Sequence, residues 1–101
     1  MSSTVKTRDV EIVNRKGLHA RASAKLAGLA TSLPVRVMVS HDGESADARS
    51  IMDLLCLGAA IGSVITLKAE GDEADTALDA IETLITDGFG ELSEEQPSAC
   101  K

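Results

Sequence analysis

Apolar residues in this chain switch repeatedly between a spacing of two and a spacing near 3.6, and that switching limits the folds open to it. Over residues 7–13, Val10 and Ile12 fall on one face and Asp9 and Glu11 on the other, which predicts a half-buried strand. Residues 14–17 break the pattern as a loop. From Ala20 to about Ser32, the residues Ala22, Leu26, Leu29 and Leu33 recur at helical spacing, with Lys25 off the stripe. Gly28 inside that helix costs about 1 kcal/mol relative to Ala, which predicts a neighbour packed closely against it. Pro34 stops the helix. Val35, Val37 and Val39 then alternate with Arg36, Met38 and Ser40 as a second strand, and Asp42-Gly43 predicts a hairpin into a third at about residues 45–48. Ser50-x-x-Asp53 has the pattern of a helix start, opening a short helix over residues 51–57 that Gly58 ends. A strand over residues 64–69 sets Ile65 and Leu67 opposite Thr66 and Lys68. The last helix is expected to be capped by Asp72, to bury Ala74, Ala77, Leu78, Ile81, Leu84 and Ile85, and to end at Gly88.

A small, mostly antiparallel sheet with its helices on one face buries all these stripes at once. The length, 101 residues, suffices for one core and not for two. Phe89 is the only aromatic residue, so the core is made of Val, Ile, Leu, Ala and Met, and stacking on single-stranded nucleic acid lacks its platform. The net charge of −6 also speaks against nucleic-acid binding. It is unevenly spread, at +3 over residues 1–50 and −9 over residues 51–101. Two cysteines do not make a disulfide framework, and Cys56, in an apolar run, is expected in the core. The N-terminus has no apolar signal region and no apolar run approaches a membrane span, so the chain reads as cytoplasmic. Residues 1–6 read as a flexible lead-in, 7–90 as the domain, and 91–101 as an acidic, disordered tail.

Two segments carry chemistry. His19 falls at a strand-to-helix junction, at or beside the N-cap of the first helix, where unpaired N–H groups and the macrodipole favour an anion. Arg21 offers a fork of donors to phosphate oxygens, and Gly17 leaves room for a partner to approach. These residues describe a histidine that takes and gives up a phosphoryl group; on spacing alone, a polar helix start beside a surface arginine fits as well. No second His or Cys stands at metal-ligand spacing, and His41 reads as solvated in its turn. Ser50 reads as a helix cap or as a regulatory phosphosite beside an apolar segment. Ile51, Met52, Leu54, Leu55, Cys56 and Leu57 cannot all face inward from one short helix, so part of them should form an exposed docking patch.

Gly17-Leu18-His19-Ala20-Arg21 and Arg49-Ser50-Ile51-Met52-x-x-Leu55-x-Leu57-Gly58, in this order and separation, resemble the HPr family, including its nitrogen-related NPr branch. These are histidine-containing phosphocarriers of the phosphoenolpyruvate-dependent phosphotransferase system. The resemblance spans about residues 9–88 and implies an α+β open-faced β-sandwich: four antiparallel strands in order 1-4-2-3, covered on one face by three helices. It implies that His19 accepts phosphate on Nδ1 from phosphorylated enzyme I and passes it to a IIA-type protein, with Arg21 as companion. Ser50 matches the serine modified by a kinase/phosphorylase in many members. Ile51, Met52 and Leu55, with Gly17, Leu18 and Ala20 beside the histidine, match the docking face. The implied protein is a monomeric carrier that needs no cofactor and is a substrate of other enzymes rather than an enzyme. The alternative is a binding module of the same fold that controls partners by its phosphorylation state. The chain departs from the family in having Ala22 where members commonly have Pro, which removes a rigid residue from the first helical turn.

Overall fold

The elements follow in the order β1 (Val5–Glu11), α1 (Ala20–Thr31), β2 (Val37–His41), β3 (Glu44–Asp47), α2 (Ile51–Cys56), β4 (Val64–Glu70) and α3 (Ala74–Thr86), closed by a 3-10 turn at Gly88–Gly90. This is a computed structural model describing residues 5–90; the expectations for residues 1–4 and for the tail at 91–101 fall outside the described residues. The four strands form one sheet in the order β1-β4-β2-β3 with every pair antiparallel, and the fold is the open-faced sandwich that the motifs implied.

Alternation along each strand decides which sheet face is covered. Val10, Val37, Val39, Ile65 and Leu67 are buried under the helices. The residues that alternate with them along each strand lie on the uncovered face, where Thr66 Oγ1 donates to Asp9 Oδ1 at 2.8 Å and the Ser40 and Ser45 hydroxyls meet at 3.0 Å. Helix α3 buries Ala74, Ala77, Leu78, Ile81 and Ile85 as its periodicity predicts, while Leu84, expected in the same stripe, is only partly buried at its edge. Helix α1 turns slightly differently. Ala22, Ser23, Leu26, Ala27 and Ala30 are buried, and Leu29 and Leu33 only flank the core. Phe89, wholly buried, completes the core from the last turn. Arg8 lies on the covered side of β1, where it hydrogen-bonds Asp79 and reaches Glu82 at 2.8 Å, tying the edge strand to α3. Those two carboxylates, Asp79 foremost, hold its guanidinium pKa above the ordinary value.

Several expectations need correction. β1 begins at Val5, two residues early, because β4 runs on to Glu70 and pairs with it, and β2 begins at Val37 rather than Val35. Asp72 does not cap α3. A turn closed by Ala74 N–H to Gly71 C=O at 3.1 Å takes up Asp72, and Glu73 becomes the N-cap without a side-chain bond. Cys56 is exposed rather than in the core, since α2 buries only Leu54 along its length. Nothing packs on Gly28 either; a Cβ built there meets no atom within 4 Å. Gly28→Ala is therefore expected to raise stability by about 1 kcal/mol, the propensity difference at an open helix position. A urea midpoint that fails to rise in this variant would contradict the open geometry.

Candidate functional site

The loop between β1 and α1 is folded tightly by its own residues. Asn14 is wholly buried, and its Nδ2 donates to the Gly17 carbonyl at 2.9 Å while Gly17 N–H donates to the Asn14 carbonyl at 3.1 Å. Leu18 N–H then donates to the Ala59 carbonyl at 2.9 Å, on the loop between α2 and β4. That second loop is fastened to the end of β1, with Ile12 N–H to Ser63 C=O and Gly62 N–H to Ile12 C=O both at 2.8 Å. The two loops therefore form one hydrogen-bonded unit.

His19 follows from this support as the N-cap of α1, with extended backbone at φ −84° and ψ −174°. Its carbonyl accepts the first helical bond from Ser23 N–H at 2.8 Å, but its side chain makes no capping bond, so the imidazole is not used to close the helix. The first turn holds no acidic residue, and Arg21 is exposed one residue beyond Ala20. A half-buried imidazole thus stands at the positive end of a twelve-residue helix with a guanidinium two residues on. That arrangement suits a transferable anion held on a ring nitrogen.

Two residues assigned to docking have other work. Gly17 is buried, and a Cβ on it would lie 2.6 Å from Ala59 O and 2.8 Å from Ala60 Cα. The room it leaves is taken by this chain's own loop, not by a partner. Leu18 is only 5 % exposed and belongs to the core, because its backbone is drawn onto Ala59. Ala20 is exposed as expected.

The second motif is placed by α2. Ser50 is its N-cap, and the Ser50 hydroxyl accepts from Asp53 N–H at 3.3 Å. Ser50→Ala is expected to cost about 1 kcal/mol through the lost cap, measured as a lower denaturation midpoint. Leu54 points inward, while Ile51 and Met52 are 41 % and 70 % exposed and Leu55 is half-buried, so an apolar patch does exist beside Ser50. Arg49 is folded back on Asp47 by two side-chain contacts of 3.1 and 2.9 Å. The Arg49 guanidinium lowers the Asp47 carboxyl pKa, with Arg36 adding a smaller effect. The stabilisation from this depressed carboxyl is present above the ordinary carboxylate range and is lost as pH falls through the lowered value. His41 is not merely solvated, since its Nδ1 lies 2.9 Å from the Leu57 carbonyl and fastens the β2–β3 hairpin to the end of α2. Among the described residues, no group of three or more His, Cys, Asp or Glu could hold a metal ion, and no helix is long and apolar enough to cross a membrane.

Residues 6–87 match the family described as the PTS HPr component phosphorylation site. The chain belongs to the HPr family. It is 48 % identical over 84 residues to the phosphocarrier protein HPr of Cupriavidus necator, covering 83 % of this chain and 94 % of that one. It is 43 % identical over 86 residues to the phosphocarrier protein NPr of Shewanella violacea, covering 85 % and 94 %. The crystal structure of HPr-C-His from Thermoanaerobacter tengcongensis superposes with a TM-score of 0.80 at 38 % identity, covering 85 % of this chain and 97 % of that one. This HPr-family chain thus has the general role of a phosphocarrier of the phosphotransferase system. What sequence reasoning missed is the buttress: Asn14, Ala59 and Ala60 support the His19 loop. Asn-x-x-Gly at 14–17 marks its local half; the contact across more than forty residues leaves no sequence signal.

Proposed function

We propose that this chain accepts a phosphoryl group on Nδ1 of His19 from phosphorylated enzyme I and hands it to a IIA-type protein in the cytoplasm. The observation that carries this reading is the N-cap imidazole, unused by the helix it begins and buttressed from two loops, with Arg21 beside it. In each transfer the ring nitrogen's lone pair forms the N–P bond as the donor's N–P bond breaks. The leaving nitrogen keeps that bonding pair. Arg21 and the first-turn N–H groups neutralise the equatorial oxygens. Ala20, Ile51, Met52 and Leu55 form the docking face. Ser50 serves as a regulatory phosphosite, since about two negative charges at the edge of Ile51 and Met52 would repel a partner docking there. The carrier acts as a monomer.

The test is incubation with enzyme I and phosphoenolpyruvate, followed by acid and base treatment of the labelled chain. The expected product is an acid-labile, base-stable phosphate that a IIA protein discharges. Absence of that label, with an acid-stable phosphate formed at Ser50 by a protein kinase, would favour a regulatory binding module instead.

A further inference from the structure

The uncovered sheet face holds a cationic hollow where β2 begins and β3 and β4 end. Its volume is about 490 Å³, and Arg36, Met38, Arg49, Lys68 and Glu70 line it. Strand register explains the clustering. Lys68 pairs with Met38 and Met38 with Asp47, a row across three strands. Ala48 N–H donates to the Val37 carbonyl at 2.9 Å, so the β2–β3 ladder runs on and brings Arg36 beside Arg49. Like charges placed opposite one another across strands destabilise a sheet unless something offsets them.

Asp47 supplies part of that offset. Its carboxylate accepts from Arg49 Nε at 3.1 Å and Nη2 at 2.9 Å, and Arg36 Nε lies 3.4 Å from it. One carboxylate thus fixes two guanidiniums and leaves the Nη1 group of each outside these contacts. Lys68, exposed, enters no ion pair among the described residues. Three cations therefore stand against two carboxylates, Asp47 and Glu70, a positive excess in a chain of net charge −6. Half-buried Met38 gives the hollow an apolar floor. Two guanidinium forks and an ammonium offer more donors than a carboxylate's two oxygens take up, and they suit the three oxygens of a phosphate monoester. The volume lies within the range of about 300–1,000 Å³ typical of small-molecule sites, so a bound phosphate leaves room for the group it esterifies. The Glu70 carboxylate only accepts hydrogen bonds, which selects a group that carries hydroxyls.

We propose that this hollow binds a small polyhydroxyl phosphate monoester. The phosphate sits on Arg36, Arg49 and Lys68, the carbon skeleton lies over Met38, and hydroxyls donate to Glu70. Asp47 is a positioning residue that holds both guanidiniums in place before the ligand arrives. The site is on the sheet face opposite the helices, and binding there involves none of the His19 loop residues.

The experiment titrates ribose 5-phosphate into the full chain at low salt and follows amide chemical shifts. Saturable changes are expected at residues 36–38, 47–49 and 68–70. Ribose alone and inorganic phosphate, the skeleton and the anion taken separately, should each bind about tenfold more weakly or less, since each loses a bond to a charged group. Arg36→Gln and Lys68→Gln should each weaken binding of the ester about tenfold, the scale of one charge-assisted hydrogen bond. Both side chains are exposed, and Asp47 keeps Arg49 in either variant, so the urea midpoints should hold. Shift changes at residues 17–23 instead would put the anion at the start of α1 and overturn the site. Inorganic phosphate bound as tightly as the ester would overturn the ligand class. Affinity unchanged in both variants, or no saturable change up to millimolar ester, would sink the proposal as a whole.

Discussion

His19→Ala is expected to abolish the acid-labile phosphate formed with enzyme I and phosphoenolpyruvate while leaving the start of α1 in place. The imidazole is the proposed acceptor, and Arg21 and the helix end supply charge but no nucleophile. The helix start survives because the backbone makes it. His19 begins α1 through its backbone carbonyl, which Ala retains, and its side chain contributes no capping bond. The two readouts are label after base treatment and the urea midpoint of the same preparation. Label that persists in the variant would place the acceptor elsewhere. A large fall in midpoint would make His19 a structural residue first.

Gly17→Ala is expected to cost about 2–4 kcal/mol and to displace the His19 loop, combining left-handed backbone strain with overpacking. The residue has φ +65°, and the new methyl would meet Ala59 O at 2.6 Å and Ala60 Cα at 2.8 Å, both backbone atoms with no rotamer to yield. Gly58→Ala is the control, having φ +64° and no atom within 4 Å, so it carries the strain alone at about 1 kcal/mol. The difference between the two midpoints isolates the loop-on-loop contact. Amide shifts should move in residues 14–20 and 59–63 together for Gly17→Ala and stay local for Gly58→Ala. Equal costs for the two variants would remove the buttress from the account of the site.

The fold was legible because β1, β2 and β4 repeat a clean alternation, Asp42-Gly43 marks the hairpin into β3, and α3 carries a stripe from Ala74 to Ile85 that one burial satisfies. The two motifs gave the family and the strand order. What escaped was of two kinds. In α2 every residue but Asp53 is apolar or sulfur-bearing, so periodicity cannot say which side is inward, and Cys56 was assigned to the wrong one. At Gly17, Leu18 and His41 the local pattern suggested exposure. Their partners, Ala59 and Leu57, come from distant turns that no local rule brings near. The missing Asp72 cap is a smaller case of the same thing: a turn closing on Gly71 shifted the boundary by one residue. For the site, residue identities were readable, and the support that gives them geometry was not.

The hydrogen-bonded pairing of the 14–18 and 59–63 loops makes the histidine loop a non-transferable part on its own. Moving residues 14–21 into another scaffold would carry the nucleophile and its arginine but leave Leu18 N–H without its acceptor and Gly17 without its seat. A functional graft must bring both loops as a cassette, at fixed lengths. A one-residue insertion between Gly58 and Val64 should accordingly be read out at His19, some forty residues away in sequence, sooner than in the melting of the sheet.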